Sequence, residues 1–415
     1  MTATRTQDRG SGLAGTLLQR DFGRLWLAGL ISNLGSWMTT TALPVYVFQQ
    51  TGSALATTTV FTVSVLPLLF SSAAGVLVDR WDRRRVLIAS NIALGAVTAP
   101  LLLAGSGRLW LVYACLFAQA VGQLTAAPAE NALLPRLASE QQLPAANSLN
   151  ALNDNLGRII GPVLGTSLLA WSGFGAVVLT DVASFLTAAA LVNTITRSRA
   201  GSAGAFGPSA RSLAAEWRTG LSVIRRSRLL TTVFAAAATA LLGDAILSSL
   251  LAPFVATTLG AGGPVLGVFL TIRGLGGVAG SVIVHRLVRS IAPGRLIACA
   301  TTGLGLVVAL LVVLPLVAAA LVCAGFLGIF VVLWISSQQT LIQTTVADDC
   351  LGRVYGTLGT ITAATLILGS ILAGTLADVV GINTLFCAAA GCYATAGLIM
   401  IVRSGRRPNG PSRCE

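Results

Sequence analysis

Charged side chains inside long apolar runs are the residues of this 415-residue chain best placed to do chemistry. Asp154 and Arg158 stand four apart in one run, Asp181 follows in the next, and Asp244 and Arg273 occur singly further on. Ionisable groups in hydrocarbon are costly and usually functional. Burial disfavours the charged form of a carboxylate, so a mid-span Asp244 with no adjacent cation suits reversible protonation. An ion pair between Asp244 and Arg273, which is also near mid-span, is the equal alternative. Asp154 and Arg158 share one face of a helix and can pair locally, in a structural or a functional role. Asp181 lies five residues inside the outer end of its run, where it is expected to reach the interface.

Amides and indoles recur at four-residue spacing in the same runs: Asn33 and Trp37, Gln119 and Gln123, Trp334 and Gln338. Such groups would suit a large, amphipathic, partly uncharged ligand. Ordinary helix packing is the competing reading for each pair. Metal chemistry is not expected. His285 is the one histidine, and none of the seven cysteines forms a C-x-x-C pair, so neither a metal site nor a disulfide framework is indicated. No nucleophile–base constellation and no G-x-x-x-x-G-K-[ST] loop occurs. These absences count against an enzyme, an ATP-driven pump and any cofactor.

Composition fixes the solvent these residues face. The chain is 54% hydrophobic and 10% charged, with a mean hydropathy of +0.82. A soluble protein carries about 25% charged residues, so most of this surface faces lipid. No cleavable signal peptide is evident in the polar first twenty residues. A spanning helix needs about 20 mostly apolar residues. Twelve stretches qualify, near 22–48, 54–78, 86–104, 109–128, 147–170, 176–195, 229–257, 263–284, 295–314, 316–342, 354–377 and 384–402. The ninth and tenth are almost continuous at Pro315.

The net charge of +13 does not imply nucleic acid. All 27 basic residues are arginine, and they cluster at the ends of apolar runs. Alternate connections hold nearly all of them, with Arg108 the exception on the other side. Positive-inside bias then places both termini and the long middle connection in the cytoplasm. This divides the chain into a tail (1–21), a first helical bundle (22–195), a linker (196–228), a second bundle (229–402) and a second tail (403–415). The linker opens with a Gly/Ser/Ala-rich stretch. It continues with Leu213, Trp217, Leu221 and Ile224 alternating with Arg211, Arg218 and Arg225, the pattern of an amphipathic helix on an anionic leaflet. The halves repeat weakly: Leu143 to Gly161 slides onto Leu351 to Gly369.

Two motifs remain. Gly75-Val-Leu-Val-Asp79-Arg80-Trp-Asp82-Arg83-Arg84-Arg85 packs six charges into seven residues between two apolar runs. Gly75 lets two helices approach closely, while Asp79 and the arginines can pair with neighbouring helix ends. Gly157-Arg-Ile-Ile-Gly161-Pro162-Val-Leu-Gly165 sets small residues at four-residue spacing on a flat helix face, and Pro162 can kink that helix. The first motif resembles the loop between helices two and three of the major facilitator superfamily, with Asp82 where that family usually has glycine. The second resembles the fifth-helix motif of its drug–proton antiporters. Pro128-Ala-Glu-Asn-Ala-Leu-Leu-Pro135 and Leu143-Pro-Ala-Ala-Asn147 look like the macrolide-efflux and enterobactin-exporter branch. In the fourth span Ala118 stands where antiporters often carry arginine, four residues before Gly122.

The resemblance implies an all-α membrane protein of twelve transmembrane helices in two six-helix bundles related by a parallel repeat. It implies a secondary active transporter in the bacterial inner membrane, exporting a drug-like or secondary-metabolite molecule by alternating access, with protons as the expected second partner. Gly75, Asp79, Arg80, Arg83 and Arg84 would form a cytoplasmic gate, whose counterpart in the second half is degraded, with His285 at the place of Asp79. A siderophore or nutrient carrier of the same fold, and a non-transporting membrane sensor, are the alternatives.

Overall fold

The computed structural model describes residues 16–17, 19–70, 82–105, 107–196, 221–288 and 290–403. Their secondary structure is helical: α1 (Arg20–Thr51), α2 (Ala54–Val65), α3 (Arg83–Thr98), α4 (Leu109–Leu137), α5 (Leu143–Asn193), α6 (Arg228–Thr257), α7 (Gly263–Leu287), α8 (Pro293–Val313), α9 (Val317–Thr345), α10 (Asp348–Val380) and α11 (Ile382–Arg403). Short 3₁₀ turns extend α2 and α3. Among the described residues nine helices, α3 to α11, are long and apolar enough to cross a membrane. The 51-residue α5 is broken at Gly173, whose backbone (φ 79, ψ 174) leaves the helical region. A Cβ there would meet nothing within 4 Å. Glycine is needed for the positive φ, not for space. Pro162 leaves the helix continuous, so the turn in α5 is made at Gly173 and not at the proline.

Helix α1 is 32 residues long, but Ser32, Asn33, Ser36 and three consecutive threonines dilute its hydropathy. Helix α2 with its 3₁₀ extension is the shorter apolar segment, Ala54–Leu69.

The chain forms two compact units, residues 1–46 with 70–207 and residues 47–69 with 208–415. In the first, Leu25, Ala28, Leu87, Ala129, Leu133, Ala188 and Val192 make one core cluster. Near the other end Tyr46 stacks on Phe174 at 4.1 Å and donates to the Ala104 carbonyl at 3.1 Å. In the second unit Phe254 stacks on Phe386 at 4.3 Å. Chain order groups α2 with the first bundle, whereas its packing places residues 47–69 in the second unit. The reason is a seam of small and polar residues. Thr62 and Ser370 share a hydroxyl hydrogen bond of 2.7 Å, and Gly374 leaves room for Thr58.

Most of the linker, 197–220, lies outside the described residues. Its last turn departs from the lipid-facing expectation: Val223 and Ile224 are buried against Ile342, Val346, Cys350 and Val354 of the second unit. Cys115, Cys299, Cys323, Cys387 and Cys392 are free thiols, while Cys350 is disulfide-bonded.

Candidate functional site

Small residues bring the helices of the first unit close enough to enclose a site. The stripe Gly157, Gly161 and Gly165 of α5 lies on α1. Cβ atoms added there would meet Trp37 Cδ1 at 2.8 Å, Trp37 Cβ at 2.5 Å and Met38 Cα at 2.6 Å respectively. This is the flat face read from the sequence, and its partner is the polar helix α1.

Between α1, α3, α4 and α5 is a cavity of ≈ 300 Å³. Its wall includes Ser32, Asn33, Ser36 and Thr40 from α1, Asn91 from α3, Gln123 and Glu130 from α4, and Asn153, Asp154 and Phe185 from α5. Apolar contacts come from Leu87, Leu94, Ala126 and Ala127. Two carboxylates thus face a space lined by four amides and by no arginine. Glu130 and Asp154 are near enough to interact electrostatically. Gly29 makes the arrangement possible: a Cβ there would overlap the Glu130 carboxylate and sit 2.9 Å from Asn153 Nδ2. Asn153 donates to the Trp26 carbonyl at 3.1 Å, which leaves its own carbonyl oxygen buried and without a partner. Asn33 donates to the Asn153 backbone carbonyl at 3.3 Å and to Asp154 Oδ1 at 3.4 Å.

Asp154 and Arg158 still interact electrostatically, but they make no close ion pair. The Arg158 guanidinium lies over the Trp37 ring, 5.6 Å from its centroid, while Asp154 turns to Asn33. One helix face allows the ion pair, but the indole of α1 offers the cation a drier surface. Asn33 and Gln123 line the cavity as the sequence implies. Gln119 instead donates to the Thr98 hydroxyl. Trp334 and Gln338 are buried in the second unit, 5% and 8% exposed, among helix contacts. Asp181 does not reach the interface. It is 1% exposed and packs against Gly35 of α1, whose added Cβ would sit 2.7 Å from its Oδ1. Position along its own run gave no sign that α1 covers it.

Glu130 was not singled out in the sequence. Gln123 and Glu130 are seven apart, hence on one helix face. That spacing is the signal which could have found it.

In the second unit Asp244 takes the paired alternative. Arg273 lies 3.5 Å from its Oδ1, and the fully buried Tyr393 donates to the same oxygen at 3.1 Å. Both charged side chains are about a fifth exposed, so removing one partner is expected to cost about 1–3 kcal/mol, between surface and fully buried pairs. Asp244→Asn should lower the melting temperature, and adding Arg273→Gln should recover part of the loss in a double-mutant cycle. Additive effects of the two changes would show that the pair contributes nothing.

Of the cytoplasmic loop motif, Gly75, Asp79 and Arg80 lie outside the described residues. Arg83 donates to the Ala132 carbonyl at 3.0 Å. Arg84 donates to the carbonyls of Val192 and Asn193 at the end of α5. Cations at helix C-termini offset the carbonyl end of the dipole. Asp82, the departure from glycine, is the N-cap of α3, accepting from Arg84 N at 2.9 Å and Arg85 N at 3.2 Å.

Membrane-length helices around an internal polar cavity are the construction of a membrane transporter. The chain belongs to the transmembrane secretion effector family of the major facilitator superfamily, whose profile matches residues 11–408. It is 30% identical over 375 residues to the multidrug efflux pump Tap of Mycolicibacterium fortuitum, covering 87% of this chain and 90% of that protein. It is 24% identical over 379 residues to macrolide efflux protein A of Streptococcus pyogenes, covering 88% and 91%. Among solved structures it shares its fold with a POT family transporter complexed with a thioalcohol-conjugated peptide (TM-score 0.74, 13% identity, 93% and 96% covered). An inward-facing bacterial homologue of the iron transporter ferroportin is also similar (TM-score 0.70, 17% identity, 94% and 100% covered).

Proposed function

We propose that the protein exports an amphipathic, drug-like or secondary-metabolite molecule bearing a protonated amine, in exchange for protons. The carrying observation is the cavity of the first unit, where Glu130 and Asp154 face amides and apolar side chains with no lining cation. Two like charges in a low-dielectric space favour a cation between them, and the amides supply neutral hydrogen bonds to the rest of the molecule. Proton and substrate then compete for the same carboxylates, which is sufficient for antiport. The names of the relatives, a macrolide efflux protein and a multidrug pump, support a drug-like substrate. An anionic siderophore fits an acidic cavity poorly.

With α1, α2 and the two limbs of α5 each crossing once, the chain makes twelve crossings. We place it in the bacterial cytoplasmic membrane with both termini inside and alternating access as its cycle. The test is transport in proteoliposomes carrying inside-out protein, with an acidic lumen and a macrolide as probe. Accumulation is expected only while the pH gradient lasts and should collapse on addition of a protonophore. Accumulation that ignores the gradient would remove proton antiport, and none at all would remove the export reading.

A further inference from the structure

Asp181 is a buried carboxyl group to which the cavity and its transport chemistry assign no task. It sits in the second limb of α5, outside the cavity wall. Gly35 of α1 lies against it, and Ser184, one turn along, donates to the Asp181 backbone carbonyl at 2.7 Å and stands 3.5 Å from Oδ1. Thr39 of α1, 2% exposed, stands four residues from Gly35 and so on the helix face that meets this carboxyl group. Asp181 Oδ2 and Thr39 Oγ1 are both buried with no hydrogen-bond partner.

No cation approaches from the packed helices. On α1 the other titratable groups are Arg20, Asp21 and Arg24 in the first two turns, and Tyr46, whose hydroxyl is taken by Ala104. On α3, which packs on α5, they are Arg83, Arg84 and Arg85 in the first turn. On α5 they are Asp154 and Arg158, both in the other limb. An ionised carboxylate without a partner in such a place costs several kcal/mol.

We infer that Asp181 is a carboxylic acid in this conformation, its proton on Oδ2 and donated to Thr39 Oγ1, and that it is a proton-binding site of the first unit separate from the cavity. A proton on Oδ2 removes the uncompensated charge and makes this oxygen a donor, for which Thr39 Oγ1 is an unclaimed acceptor. Loss of that proton to water leaves a bare carboxylate against α1, which is tolerable only where α1 draws away from α5 and water enters. Proton release is thereby tied to a change in the contact between these helices. The protonation itself stands without the antiport reading; its part in coupling rests on that reading.

The two are separated by different measurements. Infrared difference spectra of purified wild type against Asp181→Asn at neutral pH should contain the carbonyl stretch of one protonated carboxylic acid. Thr39→Val, which removes the acceptor, should shift that band to higher frequency while the protein stays folded. Carboxylate bands in place of the acid band, or a band unmoved by Thr39→Val, would overturn the assignment. In proteoliposomes Asp181→Asn should keep substrate counterflow and lose at least about tenfold of gradient-driven accumulation, the loss of about 1.4 kcal/mol of coupling. Full gradient-driven accumulation with the acid band present would overturn the coupling role and leave a neutral hydrogen bond between helices. A wild type that moves no macrolide but shows the acid band would defeat the export reading alone.

Discussion

Glu130→Gln should weaken the apparent affinity for a protonated-amine substrate about ten- to a hundredfold. A hydrogen bond to a charged group contributes about 1.5–3 kcal/mol, and each 1.4 kcal/mol is a factor of ten. The glutamine fills the same space beside Gly29 and Asn153, so the cavity keeps its shape and loses one charge. Binding of a neutral analogue of the same size should therefore change by less than about threefold, the range of an exposed polar substitution. Titration of purified protein with the two compounds measures the split. Adding Asp154→Asn should cost less than its effect alone, because both carboxylates address one cation and their effects are not independent. Equal weakening for charged and neutral ligands would mean that Glu130 shapes the cavity without reading charge.

Gly165→Leu should abolish folded protein, and Gly165→Ala should lower its melting temperature while leaving a detectable yield. The first atom added at this position meets the Met38 backbone of α1, its carbonyl oxygen and its Cα at 2.6 Å. Backbone cannot turn aside as a side chain can, so the two helices must separate along their length. Overpacking of a well-filled interior costs about 1–3 kcal/mol and occasionally more. Here separation would also open the cavity wall that α1 and α5 share. Gly359→Ala in α10 is the control, since a Cβ there meets nothing within 4 Å, and it should melt like the wild type. Fluorescence-detected size exclusion with heating follows all three. A folded, cavity-competent Gly165→Leu protein would show that the stripe is not a close-packing seam.

The contrast between these two sites shows how differently sequence speaks about them. The glycine stripe was legible because helical period alone puts residues 157, 161 and 165 on one face, whatever lies opposite. The helices themselves were legible because lipid requires long uncharged runs. Arginine placement was legible because charge stays at the ends of such runs. Asp82 was visible as a departure from its family pattern, although its task as the cap of α3 needed backbone geometry to see.

Pairing between helices was not legible. Asp154 and Arg158 satisfy the spacing of a local ion pair, yet Trp37 from α1 takes the arginine and Asn33 takes the aspartate. Asp244 and Arg273 lie on different helices, and their alternatives were equal until Tyr393 arrived from α11. Asp181 appeared close to an interface when measured along its own run, but α1 covers it. Glu130 stood inside the Pro128–Pro135 motif and seven residues from Gln123, but its meaning comes from the cavity that Gly29 and Gly157 allow to form. Sequence by itself determined the solvent, the family and the small-residue faces, because each is set by residues of a single segment facing lipid or a neighbour of any kind. Only the tertiary structure decided which buried charged groups are paired, face a cavity or stand without a partner. That outcome depends on which groups three or four separate helices bring within a few ångströms, and no single segment records it.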